Sequence, residues 1–518
     1  MSKTIMLAVA VWGLSLLHTG LAAEVELTLL QTTDIHCYLE RSDNLPAGGG
    51  WLRLSTLIEA ERQRAGPGRC LLIDCGDSIQ GTLEATATES RVAVGLLKAM
   101  RYDVWVPGNH DLDFGIERLL AAAAALEPGL LCGNLRLHPQ GLPAGAEPAA
   151  EPTAVPAVSF PAWRLFERGG ARVAVIGMTA SYLDNWFWGP VRDGFRARSA
   201  VEAIGEAMPE VIARTPDMIV LAIHQGWLPN DTRAVNEVLE ITRRFPEIDL
   251  IFGGHTHQVH PGTRVGSRAW YVQAGFHADY LAVVEARIDT EAHRVVDIVS
   301  KLVPASNEIA ADARVRAAVA GELEAAAAFG RQRVGELSAV LKAGGSPGED
   351  CPSSELISAA LAEATGARVV VHGKLSELDT FAGPVTEAEL FRLVPYENAV
   401  GVLSLTEAQL RAVIEEQLRN RGSYVACGLW GVVAHVRAKG QVVRLEMPDG
   451  APLPERFTVA FNSYSLAGGG GRFPVLKELA GDSWRENARG GDSRSMLRAY
   501  LRAHSPYEPQ TRRWLVRE

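Results

Sequence analysis

The sequence is poor in what would make a disulfide scaffold, a zinc ribbon or a nucleic-acid coat. It holds 6 cysteines in 518 residues and no Cys-x-x-Cys pair, which removes the usual signature of a thiolate zinc site. Cys70 and Cys75 share the run Cys70-Leu-Leu-Ile-Asp-Cys75, where an odd separation points them to opposite faces of a strand. Cys37, Cys132, Cys351 and Cys427 are scattered, so buried free thiols are the expectation even in an oxidising compartment. Positive charge is also in deficit. The formal net charge is −10, whereas a sequence-independent grip on a nucleic-acid polymer needs clustered Lys and Arg. A polymer partner is therefore not expected, although one local anion pocket stays possible. Beyond the first two dozen residues, no uncharged apolar run reaches the length of a membrane span.

What is present begins with an address. Lys3, the apolar run Ile5 to Leu17 and the small residues of Gly20-Leu21-Ala22-Ala23 read as a secretory signal peptide over 1–23, with an uncleaved anchor as the rival reading. The reading predicts a periplasmic or secreted product with no membrane attachment after cleavage. The length exceeds what one core supports, and 47% hydrophobic with 22% charged residues is ordinary globular composition, so two domains are expected.

Short apolar runs at Glu26–Gln31, Leu71–Ile73, Val104–Val106, Val173–Ile176, Met218–Ile223 and Leu250–Phe252 alternate with helical stretches such as Leu52–Arg64, Arg91–Met100 and Ile116–Leu126. This predicts an α/β (α+β) fold of layered sheets covered by helices, with the site built from polar residues just past the strand ends. Pro139 to Pro156 reads as a surface loop. Asp312 to Phe329 reads as one helix, followed by a break at Gly344-Gly-Ser-Pro-Gly348. The expected organisation is a first domain over 24–310, a linker helix over 311–334 and a smaller α/β domain over 335–518, with helices at Ser354–Thr365 and Thr406–Asn420 and strands at Arg368–Val371 and Phe457–Phe461.

Five polar clusters follow strand-like runs in the first domain: Asp34-Ile-His36, Gly76-Asp77, Gly108-Asn-His-Asp-Leu-Asp113, His224, and Gly253-Gly-His-Thr-His257. Two divalent ions need hard oxygen ligands, imidazoles and a carboxylate able to reach both. Asp-x-His and His-x-His have the period of an extended segment, so both side chains can face one way. Each cluster alone is weak; the ordered set after successive strands is not a chance pattern.

These motifs resemble the calcineurin-like metallophosphoesterases, and specifically the periplasmic 5′-nucleotidase family with its separate C-terminal domain. The resemblance implies that Asp34, His36 and His257 hold one ion, that Asn109, His224 and His255 hold the other, and that Asp77 bridges. It implies phosphate-ester hydrolysis by metal-activated hydroxide, with His110 at the leaving oxygen or the equatorial charge and Asp113 orienting it. The ligand types suit Zn, Mn, Co or Fe, and the expected partner is a small phosphate ester, a nucleotide first. Oligomeric state is not readable. Asp111 is expected to cap or bond the loop; Asn134 is either a site neighbour or a turn residue.

The second domain departs from the family. No Arg lies between Arg368 and Arg392, where the family carries a phosphate-clamping arginine loop; the equivalent Val371-His-Gly-Lys-Leu-Ser376 offers Lys374 or His372 instead. Val394-Pro-Tyr-Glu-Asn398 supports the fold. Asn462-Ser-Tyr464 and Gly468-Gly-Gly-Gly-Arg-Phe473 resemble the family's ring-stacking and ribose-binding segments, with Gly470 in place of an Asp. Tyr464, Tyr424, Arg472 and Lys374 are therefore the substrate candidates, with core or domain packing the alternative for the tyrosines and a plain loop lysine the favoured alternative for Lys374. The rival functions keep the same centre with a cyclic nucleotide, a nucleotide sugar or a thiosulfohydrolase-type sulfur ester, or lose turnover and only bind.

Overall fold

A computed structural model describes residues 24–40, 49–126, 129–139, 157–183, 187, 194–229, 236–396, 398–420, 428–481, 484 and 491–518. The signal-peptide reading, nearly all of the 139–156 loop, Tyr424 and Cys427 lie outside the described residues.

The first half is a four-layer sandwich. One sheet has five strands, with Glu24–Thr32, Cys70–Asp74 and Val104–Trp105 parallel, flanked by the antiparallel pair Tyr280–Asp289 and Arg294–Pro304. The other has six strands, of which Ala171–Met178, Met218–Ile223, Leu250–Phe252 and Trp270–Ala274 run parallel. The runs Leu71–Ile73, Met218–Ile223 and Leu250–Phe252 are continuously apolar because both faces are covered. Their inward side chains (Leu29, Leu71, Ile73, Val104, Val173, Val175, Val220, Leu250, Phe252) form a dry core between the sheets. Helices Trp51–Ala65, Arg91–Ala99 and Ile116–Ala125 cover one outer face through Trp51, Leu54, Leu96 and Leu119. Ala200–Ala213 and Val238–Arg244 cover the other through Ile204, Met208 and Ile241. Cys70 packs toward the first helical layer and Cys75 into the intersheet core, on opposite faces as the odd spacing requires.

The second half has its own buried clusters, organised around the four-stranded sheet that includes Val369–His372, Val400–Thr406 and Arg456–Asn462, with helices Pro352–Thr365 and Glu407–Arg419 against it. The one helix expected over Asp312–Phe329 is two, Ala313–Ala318 and Ala320–Gly330, broken at Val319 (φ −119°, ψ 20°). Docking is the reason. Val315 and Val319 are both buried in the first core, and Val319 lies so close to Gly95 that a Cβ there would meet its Cγ1 at 2.8 Å. The second segment turns away to pack against Leu83–Thr88. Helix propensity is local and does not register such a redirection. Among the described residues, no helix is long and apolar enough to cross a membrane.

Candidate metal centre

All five motifs lie past the carboxyl ends of parallel strands, and hydrogen bonds between the sheets hold those ends together. Gln31 Nε2 donates to the Gly253 carbonyl at 2.8 Å, and His224 Nδ1 meets the Cys75 carbonyl at 2.6 Å. The second contact fixes the His224 ring so that Nε2 faces inward.

Two groups of ligand atoms converge there. Asp34, His36 and His257 form one; Asp77, His224 and His255 form the other. His36 Nε2 and His257 Nε2 are 3.3 Å apart, and His257 Nε2 is 3.5 Å from Asp34 Oδ1. Asn109 Oδ1 joins the second group, 3.2 Å from His224 Nε2 and 2.8 Å from His255 Nδ1. Asp77 Oδ2 stands between the groups, 3.1 Å from His224 Nε2 and 4.0 Å from His36 Nε2.

The electrostatics suit cations. Burial pushes His36 and His255 down to about 3 and His257 to about 4, so these imidazoles are neutral and present lone pairs to one another. Burial opposes protonation of His224 too, but the adjacent Asp77 carboxylate lifts it to about 9. Burial, with the Asp77 charge added, raises Asp34 to about 8, while Asp77 is held well below the carboxylate range because the neighbouring imidazoles, His224 first, outweigh its burial. Converging lone pairs and two buried carboxylates fit divalent ions, which would take the place of the His224 proton.

The backbone is strained to deliver these groups. Asp34, His36, Asp77, His255 and His257 all have positive φ, between 50° and 69°. Non-glycine residues rarely adopt that region, and such outliers gather at functional sites. Gly76 and Gly108 are required for the approach: a Cβ on Gly108 would lie 2.2 Å from Asp77 Oδ1, and one on Gly76 would lie 2.4 Å from the Gly108 nitrogen.

His110 and Asp113 are adjacent, Nδ1 to Oδ2 2.8 Å, and the His110 amide donates to Asp77 Oδ1 at 2.7 Å. The surrounding protein disfavours charge on His110, but Asp113 and then Asp77 lift it to about 10, leaving an imidazolium with 41% of its side chain exposed beside the centre. Asp111 is a loop residue, as expected. Its Oδ2 accepts from the Asp77 and Gly108 amides and its Oδ1 from those of Ser78 and Ile79. Asn134 is a staple, donating to the carbonyls of Thr179 and Arg198 and accepting from the Thr179 amide.

Of the substrate candidates, Lys374 is engaged locally, its Nζ donating to Glu377 at 2.6 Å and to the Ala343 carbonyl at 3.1 Å. His372 is fully buried, its Nδ1 on the Gly373 carbonyl, and burial holds it down at about 4, so it is not a surface cation. Arg472 donates to the Tyr464 hydroxyl at 3.0 Å and to the Gly469 carbonyl at 2.9 Å, which brings these two candidates together. The structure adds aromatic groups that the sequence did not single out. Phe276 stacks on His257 (4.9 Å, 7°), Tyr182 meets His255 edge-on at 5.6 Å, and His277 sits beside His36. In the second half, Phe381 and Tyr396 are 71% and 59% exposed. No spacing rule marks such groups; only the fold brings them to the site or the surface.

Residues 27–259 match the family described as calcineurin-like phosphoesterase, and residues 333–478 match the 5′-nucleotidase C-terminal domain. Protein 5NUC of Lutzomyia longipalpis is 26% identical over 474 residues, spanning 81% of this chain and 78% of that protein. In fold, the chain resembles a 5′-nucleotidase precursor from Thermus thermophilus (TM-score 0.65, 21% identity, 95% of this chain and 99% of that one). It also resembles a sulfate thiohydrolase from the same species (TM-score 0.61, 17% identity, 95% and 96%).

Proposed function

Because this chain belongs to the calcineurin-like phosphoesterases, hydrolases of phosphate esters, and carries a 5′-nucleotidase C-terminal domain, we propose that it is an exported dinuclear-metal enzyme cleaving nucleotide phosphate esters. The observation that carries this is the convergence of two ligand groups about Asp77, with the His110–Asp113 pair beside them.

Asp34, His36 and His257 would hold one ion and Asn109, His224 and His255 the other, with Asp77 placed within reach of both groups. Bound there, divalent ions supply positive charge that polarises the phosphoryl oxygens and acidifies a water. The chain's own groups do the rest. His110, kept protonated by Asp113, donates to the leaving oxygen or stabilises charge on the phosphoryl group. Asp111 fixes the two loops that carry Asp77 and Asn109. The segment 335–518 carries the substrate reader, in which Tyr464 offers a ring face to a base and Arg472 a cation to an anionic group, Tyr424 being a candidate from the sequence alone. Residues 1–23 direct export, 24–310 form the catalytic domain and 311–334 the linker.

A sulfur ester is the second reading. It is supported by the lack of arginine between Arg368 and Arg392, by the local pairing of Lys374, and by the fold shared with a sulfate thiohydrolase. A panel of AMP, ATP, UDP-sugars, cyclic nucleotides and a thiosulfate ester, assayed with Mn²⁺ or Zn²⁺, separates the two. The nucleotide reading predicts turnover of AMP or another nucleotide; it fails if every nucleotide is untouched while another ester is cleaved.

A further inference from the structure

The geometry points to His277 as a residue that contacts the substrate's anionic headgroup, on the Asp34–His36–His257 side of the centre. This rests on the ester-hydrolase reading above and adds to it a residue that none of the five motifs contains.

The backbone holds His277 as firmly as it holds the metal-site residues. Its amide donates to the Asp34 carbonyl at 2.8 Å, and both His277 and Ala278 have positive φ, 53° and 59°. The Ala278 carbonyl accepts from the Gly50 amide at 3.2 Å. Two successive non-glycine residues in the left-handed region persist only where the surroundings over-determine them. What this conformation achieves is the placement of one ring. The His277 imidazole stacks on Tyr38, with centroids 3.9 Å apart and planes 28° from parallel. It meets His36 edge-on at 5.7 Å and lies 6.3 Å from His257. His110 meets the same His36 ring at 5.4 Å.

The buried ligand His36 thus has two half-buried imidazoles at its edges, and only His110 has a role so far. A ring held by its face keeps its nitrogens at the perimeter. Stacking on Tyr38 would be served as well by a phenyl ring; an imidazole brings in addition two ring nitrogens, on a ring whose centroid lies 5.7 Å from that of His36 and 6.3 Å from that of His257. An ester headgroup held there presents anionic oxygens, the acceptor that a ring N–H donor fits.

Two variants pull the roles apart. His277→Phe keeps the stack and removes the donor; His277→Asn keeps a donor, tolerates the left-handed backbone and removes the stack. Each would be examined with Mn²⁺ for metal content, for inorganic phosphate binding by calorimetry, and for KM and kcat on p-nitrophenyl phosphate. A substrate contact predicts two ions per chain in both variants. It also predicts phosphate affinity and 1/KM reduced about tenfold in the Phe variant, the scale of one charge-assisted hydrogen bond, and Asn close to wild type. A Phe variant with wild-type phosphate affinity, or one that loses metal, or an Asn variant impaired more than Phe, overturns the inference and leaves His277 as packing for His36. Should the Phe variant not fold, His277→Ala against His277→Asn makes the same comparison. Wild-type protein that takes up no metal would instead remove the reading on which the inference stands.

Discussion

Replacing Asp111 by Asn tests the claim that the centre is held by its loops as much as by its ligands. The Asp111 carboxylate is fully buried and accepts four backbone amides, from Asp77, Ser78 and Ile79 at 2.9 Å and from Gly108 at 2.7 Å. It therefore ties the loop after Cys70–Asp74 to the loop after Val104–Trp105. In Asp111→Asn the remaining carbonyl oxygen can keep two of those amides, while the new NH₂ faces the other two donor to donor. Each buried amide left without an acceptor costs about 1–3 kcal/mol, so the variant should lose roughly 2–6 kcal/mol. At about 2–4 °C per kcal/mol for a domain of this size, the first unfolding transition should fall by roughly 5–20 °C. Calorimetry of the metal-free protein reads this directly. The positive φ of Asp77 depends on the same clamp, so metal uptake should weaken too. A variant that melts within a degree or two of wild type and binds metal normally would show that the carboxylate is not the clamp described here.

Metal-free protein should be most stable near pH 6.5–7. His36, His255 and His257 have depressed folded pKa values, so their contribution is present above about 6.5 and is lost as pH falls, with a slope approaching about 4 kcal/mol per pH unit for three protons. Asp34 and Asp74 are raised by burial from the ordinary carboxyl range to about 8 and about 7, so their contribution is lost progressively as pH rises from about 4 to those values and offsets part of the histidine slope. His224 and His110, lifted against their burial to about 9 and about 10 chiefly by Asp77 and Asp113 respectively, add a loss above about 6.5, and a urea-unfolding profile with no maximum near pH 6.5 would contradict the prediction. His110→Ala should lower kcat by about 10²–10⁴ on esters of poor alcohol leaving groups, with KM little changed; an equal loss on p-nitrophenyl and alkyl esters would argue against proton donation. The five described cysteines are free thiols, so dithiothreitol should not shift the melting temperature through them.

The strand runs at Met218–Ile223 and Leu250–Phe252 were readable to the residue, because strands covered on both faces are continuously apolar and stop at glycine or histidine. The seven proposed ligand positions stood out for a related reason: the polar residue after each buried strand has little reason to be there except chemistry, and the fold brings their side chains together. Other features depend on what the chain meets in space. The break at Val319 follows from docking beside Gly95, and the positive φ values of Asp34, His36, Asp77, His255 and His257 belong to residue types that give no sign of them. Lys374 is the loop lysine that the sequence favoured over a substrate cation, but its pairing with Glu377 at i+3 lies in a loop, where spacing predicts little. His277 falls in no motif, since its partners Tyr38 and His36 are more than two hundred residues away in sequence.

The central claim is that seven residues hold two divalent ions on which ester hydrolysis depends. Its most direct test is AMP hydrolysis by one preparation before chelation, after chelation, and after Mn²⁺ is restored, with bound metal counted at each step. The account predicts close to two ions per chain with activity, near zero of both after chelation, and recovery of both together. Turnover that persists with the ions removed would contradict it.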